Sequence, residues 1–519
     1  MPTVRDVVHA FMRERGLTTV FGNPGSTELP YFKNWPADFD YVLGLQESAA
    51  LSMADGYAQV ANKPAIVNLH SAAGLGHAMG SLVTAYKNNT PLIVVAGQQA
   101  RSILPFEPFL GATDPVLHVK PYVKWACEPA RAKDVPRAFA RACAIAMSEP
   151  RGPVFISVPV DDWEEPADPI ELLSTFAAPA PQKEAMVRAA QLISNARSPV
   201  IVSGPEVDRA DGLEALTDLA EKLACPVWTS PMASRICFPE THTQFAGFLP
   251  AREDEIAARL SKHDLVLVFG APVFQYHFHA PSAGNVVRNI VQFTDDMNTA
   301  SYTPRGVSIV GNVRQALLAL NEVAVQRPPV EAALREAPVL AWDDNAGLTV
   351  PAAIDMIARL RPDSARIFEE APSARSVIQQ RLRMEHPSSF YATASGGLGF
   401  AISAAVGGSL ADPSRKAIAL VGDGSSLYTI QALWTAAQRN LDIVFIILNN
   451  QSYEALKHIS AMMQAPAVGA DLPGVDFKAL AQGFGVSASS AETIPAARAE
   501  LEKIFSRPGP SLLELQIRL

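Results

Sequence analysis

Cysteine is scarce. The chain has four in 519 residues, Cys127, Cys143, Cys225 and Cys237, with no CxxC pair and no finger-like spacing. That removes a disulfide framework and a cysteine metal site, and it fits a reducing cytosol. Charge is also sparse. Charged residues make up 18% of the chain, and 43 basic against 52 acidic residues leave a net charge of −9 without long blocks of one sign. Lacking a basic face, the protein is not expected to bind nucleic acid, and with 48% apolar residues it is neither disordered nor a coiled coil. Clean apolar runs of membrane length are missing as well. Pro64 to Tyr86 and Pro387 to Ala411 carry no formal charge, but both are crowded with Gly, Ser, Thr, Asn or His. Lipid penalises such residues, so buried Gly-rich helices are expected and no membrane partner. The opening MPTVRDVVHAFMRERG is charged throughout and predicts an amphipathic helix rather than a signal peptide, with a cytoplasmic location.

What the chain has in quantity is short β-branched runs alternating with helical patterns: AIVNL (65–69), LIVVAG (92–97), PVFISV (153–158), PVIVSG (199–204), LVLVFG (265–270), NIVQFT (289–294), AIALVG (417–422) and IVFIIL (443–448). Continuous apolar runs suit strands buried on both faces, so an α/β fold with parallel sheets is expected. The Pro/Ala-rich segments 164–183 and 326–340 suggest three domains, 1–180, 181–340 and 341–519, each doubly wound. The outer two share a pattern. Ala73-Gly74-Leu75-Gly76 and Gly396-Gly397-Leu398-Gly399 each precede a helix-like stretch and then LIVVAG or AIALVG, which predicts similar folds.

The strongest local signal runs from Lys416 to Tyr453. A strand is expected to end at Gly422-Asp423-Gly424, with Ser425 or Ser426 capping a helix through Leu427, Ile430, Leu433/Trp434 and Ala437, and a second strand to end at Asn449-Asn450. In a parallel sheet both ends share an edge, bringing Asp423 and Asn450 together as hard oxygen ligands for a divalent cation beside N–H groups suited to phosphate. In the first block YVLGLQ is expected to be a strand leading to Glu47, before an apolar helix SAALSMADGYAQV. Desolvation there would favour the protonated acid.

With 24 residues between Gly424 and Asn449, the GDG…NN segment resembles the signature of thiamine-diphosphate (ThDP) enzymes. FGNPGSTELP (21–30), LQESAALSMADGYAQ (45–59), NLHSAAGLGHAMG (68–80), AGQQAR (96–101), VFISVPVDDW (154–163), GAPVFQYH (270–277), GGLGFA (396–401), GDGSSLYTIQALWTAAQ (422–438) and NNQSYEAL (449–456) extend the resemblance over the whole chain, to the benzoylformate decarboxylase group of three-domain ThDP decarboxylases. NLHSAAG and GAPVFQYH are the specific stretches, and the His-His pair of many other ThDP decarboxylases is not found.

The resemblance implies a pyrimidine-binding first domain, a central α/β domain and a C-terminal domain for diphosphate and Mg²⁺. It implies that Asp423, Asn450 and the main chain at Ser452 hold Mg²⁺, and that Glu47 bonds to N1′ of the aminopyrimidine. Ser26 would contact the substrate carboxylate, His70 and His277 would transfer protons, and Leu398 would sit beneath the cofactor. Asn23, Gly25, Ser373, Gly396, Gly422, Gly424, Ser425, Tyr428 and Tyr453 are implied as further cofactor contacts. The activity implied is decarboxylation of a small 2-keto acid to an aldehyde and CO₂, with carboligase side activity, in a homo-oligomer, a tetramer, whose active sites lie between subunits.

Three positions depart from the group's pattern. Ala392 and Ile459 stand where pocket aromatics are expected, which frees space unless Phe109 or Phe390 moves in, and Pro372 replaces a hydroxyl near the diphosphate, leaving Ser373. Two alternatives stay open: a flavin-containing relative such as an acetolactate synthase or pyruvate oxidase, although the middle block has no convincing GxGxxG, and a binding homologue without catalysis.

Overall fold

A computed structural model describes residues 1–171, 179–278, 280, 287, 289–303, 305–328, 340, 342 and 347–518. The two segments expected to separate domains fall partly outside the described residues, at 172–178 and 329–339.

Three six-stranded sheets account for the long apolar runs. The first contains β1 (Thr19–Asn23), β2 (Asp40–Leu43), β3 (Ala65–Leu69), β4 (Leu92–Gln98), β5 (Trp125–Cys127) and β6 (Val154–Pro159), in the order β2-β1-β3-β4-β6-β5. The second contains β7 (Pro199–Ser203), β8 (Val227–Thr229), β9 (Phe245–Phe248), β10 (Leu265–Phe269), β11 (Ile290–Thr294) and β12 (Val307–Val310), in the order β12-β11-β10-β7-β8-β9. The third contains β13 (Arg366–Glu370), β14 (Phe390–Ala392), β15 (Ala417–Gly422), β16 (Ile443–Asn449), β17 (Ser487–Ala491) and β18 (Ser511–Gln516), in the order β14-β13-β15-β16-β18-β17. The strands pair in parallel, for example Val20 with Ile66 and Ala417 with Ile443. Every residue of β3, β4, β6, β7, β10 and β16 is buried, as parallel strands covered by helices on both faces must be.

The outer sheets repeat one strand order, so the internal similarity seen in the sequence is a similarity of topology. Residues 1–176, 342–375 and 395–519 form one compact unit, and residues 177–341 with 376–394 form another. In the first unit, α1 (Glu47–Ala61) packs on α3 (Ala401–Ala411), while α2 (Ser71–Lys87) lies against α1. The α1–α3 crossing is backbone to backbone. A Cβ on Gly56 would stand 2.1 Å from the Ala404 carbonyl oxygen, and one on Gly407 would stand 1.7 Å from that of Met53, so these two positions admit only hydrogen.

Two local expectations change. The stretch after Gly422 is not one helix capped by Ser425 or Ser426. It forms a single turn, Asp423–Ser426, with Gly422 at its N-cap, and resumes as a helix only at Ala432–Gln438. The Ser426 hydroxyl donates back to the Asp423 carbonyl at 2.6 Å, a local bond that competes with helix continuation. Likewise β2 stops at Leu43, and Glu47 is the first residue of α1, with the Gln46 side chain accepting from the Ala49 N–H as the cap.

Among the described residues no helix is long and apolar enough to cross a membrane, and all four cysteines are free. The opening segment forms the amphipathic helix expected, Val4–Glu14.

Candidate active site

Adjacent parallel strands deliver their C-terminal ends to one edge, and the order β1-β3-β4 therefore gathers three loops. Beyond β1, Asn23 leads through Gly25 into a 3-10 turn, Ser26–Glu28. Beyond β3, His70 forms the N-cap of α2, and near the end of β4 lies Gly97. The Glu28 carboxylate, 2% exposed, joins all three. Its Oε2 accepts from the Gly25 N–H at 2.8 Å and lies 3.0 Å from His70 Nδ1. Its Oε1 accepts from the Gly97 N–H at 3.0 Å and from the Thr27 hydroxyl at 2.6 Å. A carboxylate can only accept, so Nδ1 carries the hydrogen and Nε2 is left with a lone pair. Glycine is required on both sides. A Cβ at Gly25 would stand 2.2 Å from His70 Nδ1, and one at Gly97 2.1 Å from Glu28 Oε1. Ser26 is exposed at the rim of this group.

Glu47 sits at the start of α1 with its side chain 15% exposed, and its Oε2 lies 3.1 Å from Nδ1 of His77 on α2.

In the other half of the unit, β15 and β16 end side by side. Asp423 is buried, with Oδ1 accepting from the Gly424 N–H at 2.7 Å and Oδ2 accepting from the N–H groups of Asn450 at 3.2 Å and Ser452 at 3.1 Å. The Ser452 N–H is also 3.1 Å from Asn450 Oδ1, so the carboxylate and the amide oxygen converge on one point of main chain. Burial pushes the Asp423 carboxyl above its ordinary range, against the pull of those backbone donors. Above this turn lies the Tyr453 ring, so close that a Cβ at Gly424 would be 2.3 Å from it. Tyr428 lies beside Tyr453, whose phenol is raised chiefly by burial. Among the described residues no cluster of three His, Cys, Asp or Glu side chains could hold a metal. A site here draws instead on one carboxylate, one amide oxygen and main chain, a hard-oxygen set suited to Mg²⁺.

The family profile for the N-terminal TPP binding domain of thiamine pyrophosphate enzymes matches residues 2–116, that for their central domain residues 186–320, and that for their C-terminal TPP binding domain residues 373–515. Over 525 aligned residues the chain is 42% identical to a benzoylformate decarboxylase of Pseudomonas aeruginosa, covering 99% of each protein. The chain belongs to the thiamine pyrophosphate enzyme family. It is 26% identical to the large subunit of acetolactate synthase isozyme 1 of Escherichia coli, over 98% of this chain and 93% of that one. The structure of 4-hydroxybenzoylformate decarboxylase from Rhodococcus jostii RHA1 superposes with a TM-score of 0.93 at 39% identity, covering 100% and 99% of the two chains. Benzoylformate decarboxylase from Polynucleobacter necessarius gives 0.97 at 36% identity with the same coverage. Within the family the chain is a ThDP-dependent carboxy-lyase of the benzoylformate decarboxylase type.

For a thiamine pyrophosphate enzyme, the expected residues fall into separate groups. Asn23, Gly25, Ser26 and His70 come together around Glu28; Gly422, Asp423, Gly424, Ser425, Asn450, Ser452 and Tyr453 come together at the β15–β16 edge, with Tyr428 beside them. Leu398 is half-buried in the loop before α3, between Gly396 and Gly399 at φ of 74° and 101°. That loop is held by Glu370, which accepts from the Gly399, Phe400 and Ala401 N–H groups at 2.6 to 2.7 Å. Burial pushes the Glu370 carboxyl up to about 7. Ser373 is exposed in the turn after β13. His277 lies in the other compact unit, exposed, with its ring stacked on Phe278 at 4.4 Å and its backbone N–H donating to the Ala251 carbonyl at 2.9 Å.

Ala392 is 1% exposed and its N–H donates to the Ser234 carbonyl, while Phe109, offered as a filler, is 87% exposed. Ile459 is half-buried on the helix Glu454–Met462. Glu28, His77 and Glu370 were not anticipated. Glu28 had a signal, an acid three residues after the turn-opening Gly25 in capping-box spacing; His77 and Glu370 had none.

Proposed function

We propose that this enzyme carries out the Mg²⁺-dependent, non-oxidative decarboxylation of a benzoylformate-like 2-keto acid, releasing CO₂ and an aldehyde, with carboligase side activity. The observation that carries this reading is the Glu28–His70 pair next to Ser26, in a chain whose β15–β16 edge offers the Asp423, Asn450 and Ser452 oxygens. Bound ThDP supplies an electron sink for the pair released with CO₂. Asp423, Asn450 and the Ser452 main chain would hold Mg²⁺ and through it the diphosphate, with Ser373, Gly422, Gly424, Ser425, Tyr428 and Tyr453 around it. Asn23, Gly25, Gly396 and Leu398 would contact its rings, and Glu47 would exchange a proton with N1′. The Ser26 hydroxyl takes the substrate carboxylate. His70, its Nδ1–H fixed on Glu28, holds and moves a proton at Nε2, and His277 does so as the second imidazole.

The domains are taken as 1–180 for the pyrimidine, 181–340 central, and 341–519 for diphosphate and metal. The enzyme works in the cytoplasm as a homo-oligomer, a tetramer with active sites between subunits, which the repeated strand order of the outer sheets supports through pseudo-symmetric pairing. The non-oxidative reading is favoured by the central sheet. A dinucleotide docks in this strand order at the C-terminal ends of β7 and β10, where the order reverses; there buried Glu206, just after β7, bonds to the Thr294 hydroxyl at 2.9 Å and the Asp295 N–H at 3.0 Å. A Cβ on Gly204 would also stand 2.4 Å from Ala271.

The test is CO₂ release from benzoylformate, 4-hydroxybenzoylformate, branched and linear 2-keto acids with ThDP, with and without Mg²⁺, beside the visible spectrum of the purified protein. Release from the aromatic acids that needs Mg²⁺, by a colourless protein, is expected. A flavin spectrum, or no release from any aromatic acid, refutes the reading.

A further inference from the structure

The N-terminal halves of α1 and α2 are tied together by side chains that hold Glu47 in one setting. The Ser48 hydroxyl donates to the His77 carbonyl at 2.5 Å, the Ser81 hydroxyl to the Ser48 carbonyl at 3.1 Å, and the Ser52 hydroxyl to that of Ser81 at 2.9 Å. These bonds fix the register of the two helices and carry the His77 imidazole to Glu47, with Nδ1 3.1 Å from Oε2. Gly74, about one turn earlier on α2, leaves the room the carboxyl occupies, since a Cβ there would be 3.2 Å from Oε1. The other oxygen, Oε1, has no hydrogen-bond partner among the described residues.

We infer that His77 is a positioning residue that decides which oxygen of Glu47 carries the exchangeable proton, an inference that rests on the role proposed above for Glu47. A neutral carboxyl has one carbonyl oxygen and one hydroxyl. The terminal torsion of Glu is broad, so without a partner either oxygen can hold the hydrogen. With Nδ1–H donating to Oε2, Oε2 is the carbonyl and the proton sits on Oε1. When that O–H bond breaks and the proton passes to the acceptor nitrogen, the carboxylate keeps its Nδ1–H bond at Oε2, now charge-assisted. On the return step the proton is taken back at Oε1. His77 is 63% exposed, so its Nε2 can exchange with solvent while Nδ1 stays on the carboxyl.

The experiment uses the full-length enzyme loaded with ThDP and Mg²⁺ but no substrate. It measures replacement of the thiazolium C2 hydrogen by deuterium, by proton NMR after acid quench, with ThDP affinity determined separately by titration calorimetry. His77→Ala is expected to slow exchange about tenfold, the size of one partly exposed hydrogen bond to a charged group, while ThDP affinity stays within about threefold. His77→Asn, whose amide N–H can occupy the place of Nδ1–H, is expected to restore exchange to within about threefold of the parent. A His77→Ala rate equal to the parent, or His77→Asn as slow as His77→Ala, overturns the inference. Glu47→Gln in the same assay separates the two levels. Slow exchange in Glu47→Gln beside parental exchange in His77→Ala removes only the role of His77, whereas parental exchange in Glu47→Gln removes the role of Glu47 and this inference with it. In the ThDP-free protein, ¹⁵N NMR is expected to show His77 as the Nδ1–H tautomer, a preference lost in Glu47→Ala; the same tautomer in both overturns the pairing.

Discussion

Glu28→Gln keeps the volume of a buried side chain but changes what it can accept. The carboxylate receives four donors, two at each oxygen: Gly25 N–H and His70 Nδ1 at Oε2, Gly97 N–H and the Thr27 hydroxyl at Oε1. An amide must present NH₂ on one side. Turned toward Gly97, it sets a donor against a backbone N–H that no rotation can reverse. Turned toward His70, it opposes the Gly25 N–H and drives the imidazole to the other tautomer, with Nδ1 accepting and Nε2 carrying the hydrogen. Either arrangement leaves at least one buried N–H unsatisfied, at about 1–3 kcal/mol of stability. The second also removes the lone pair that proton transfer at Nε2 needs, and general acid–base help is worth ~10²–10⁴ in rate. The expected result is a fall in kcat of about 10² or more with KM within about threefold, because Ser26, which takes the substrate carboxylate, is not among the four donors. CO₂ release measures both kinetic constants, and urea unfolding measures the loss of stability. A folded Glu28→Gln enzyme with kcat within about threefold of the parent would mean that Glu28 does not set the His70 tautomer.

Asp423→Ala should lose ThDP retention before anything else, because the hard-oxygen set then has only the Asn450 amide and main chain; equal ThDP affinity with and without a chelator in the parent enzyme would contradict the metal assignment. Gly407→Ala should abolish soluble folded protein, since a methyl group cannot stand 1.7 Å from the Met53 carbonyl oxygen and the α1–α3 crossing would have to open; a normal yield with a normal circular dichroism spectrum would show that the crossing yields. His9, packed edge-on against Tyr31, Trp35 and Phe39 at 5.2 to 5.5 Å, is pushed down to about 4 by burial and, less, by Arg5. Its folded pKa lies below the unfolded 6.5, so its contribution to stability is present above pH 6.5 and is lost as pH falls through about 4. Between pH 7 and 4.5 it should cost about 2–3 kcal/mol. His9→Phe should lose correspondingly less over the same range in urea titrations, and an identical loss in both proteins would remove His9 as the cause.

Strand positions were legible along the chain because a parallel strand buried on both faces needs an unbroken apolar run, a property of consecutive residues; AIVNL and AIALVG coincide with β3 and β15. The Asp423–Asn450 group was legible for a related reason, since it spans one strand-helix-strand unit whose two strands are neighbours in the sheet. The continuous helix expected after Gly424 was wrong because apolar spacing does not register the Ser426 hydroxyl turning back on Asp423. Beyond such units the sequence by itself determined which residue types were present but not who meets whom. Glu28, His70 and Gly97 meet only because β1, β3 and β4 are neighbours with their ends at one edge. Glu47 meets His77 only because serine bonds set the register of α1 and α2, and Gly56 and Gly407 are read as essential only once two helices 351 positions apart are seen to touch. Sheet order and helix crossing are settled by long-range packing, and it is that packing which turned two lone acids and two lone histidines into two oriented pairs.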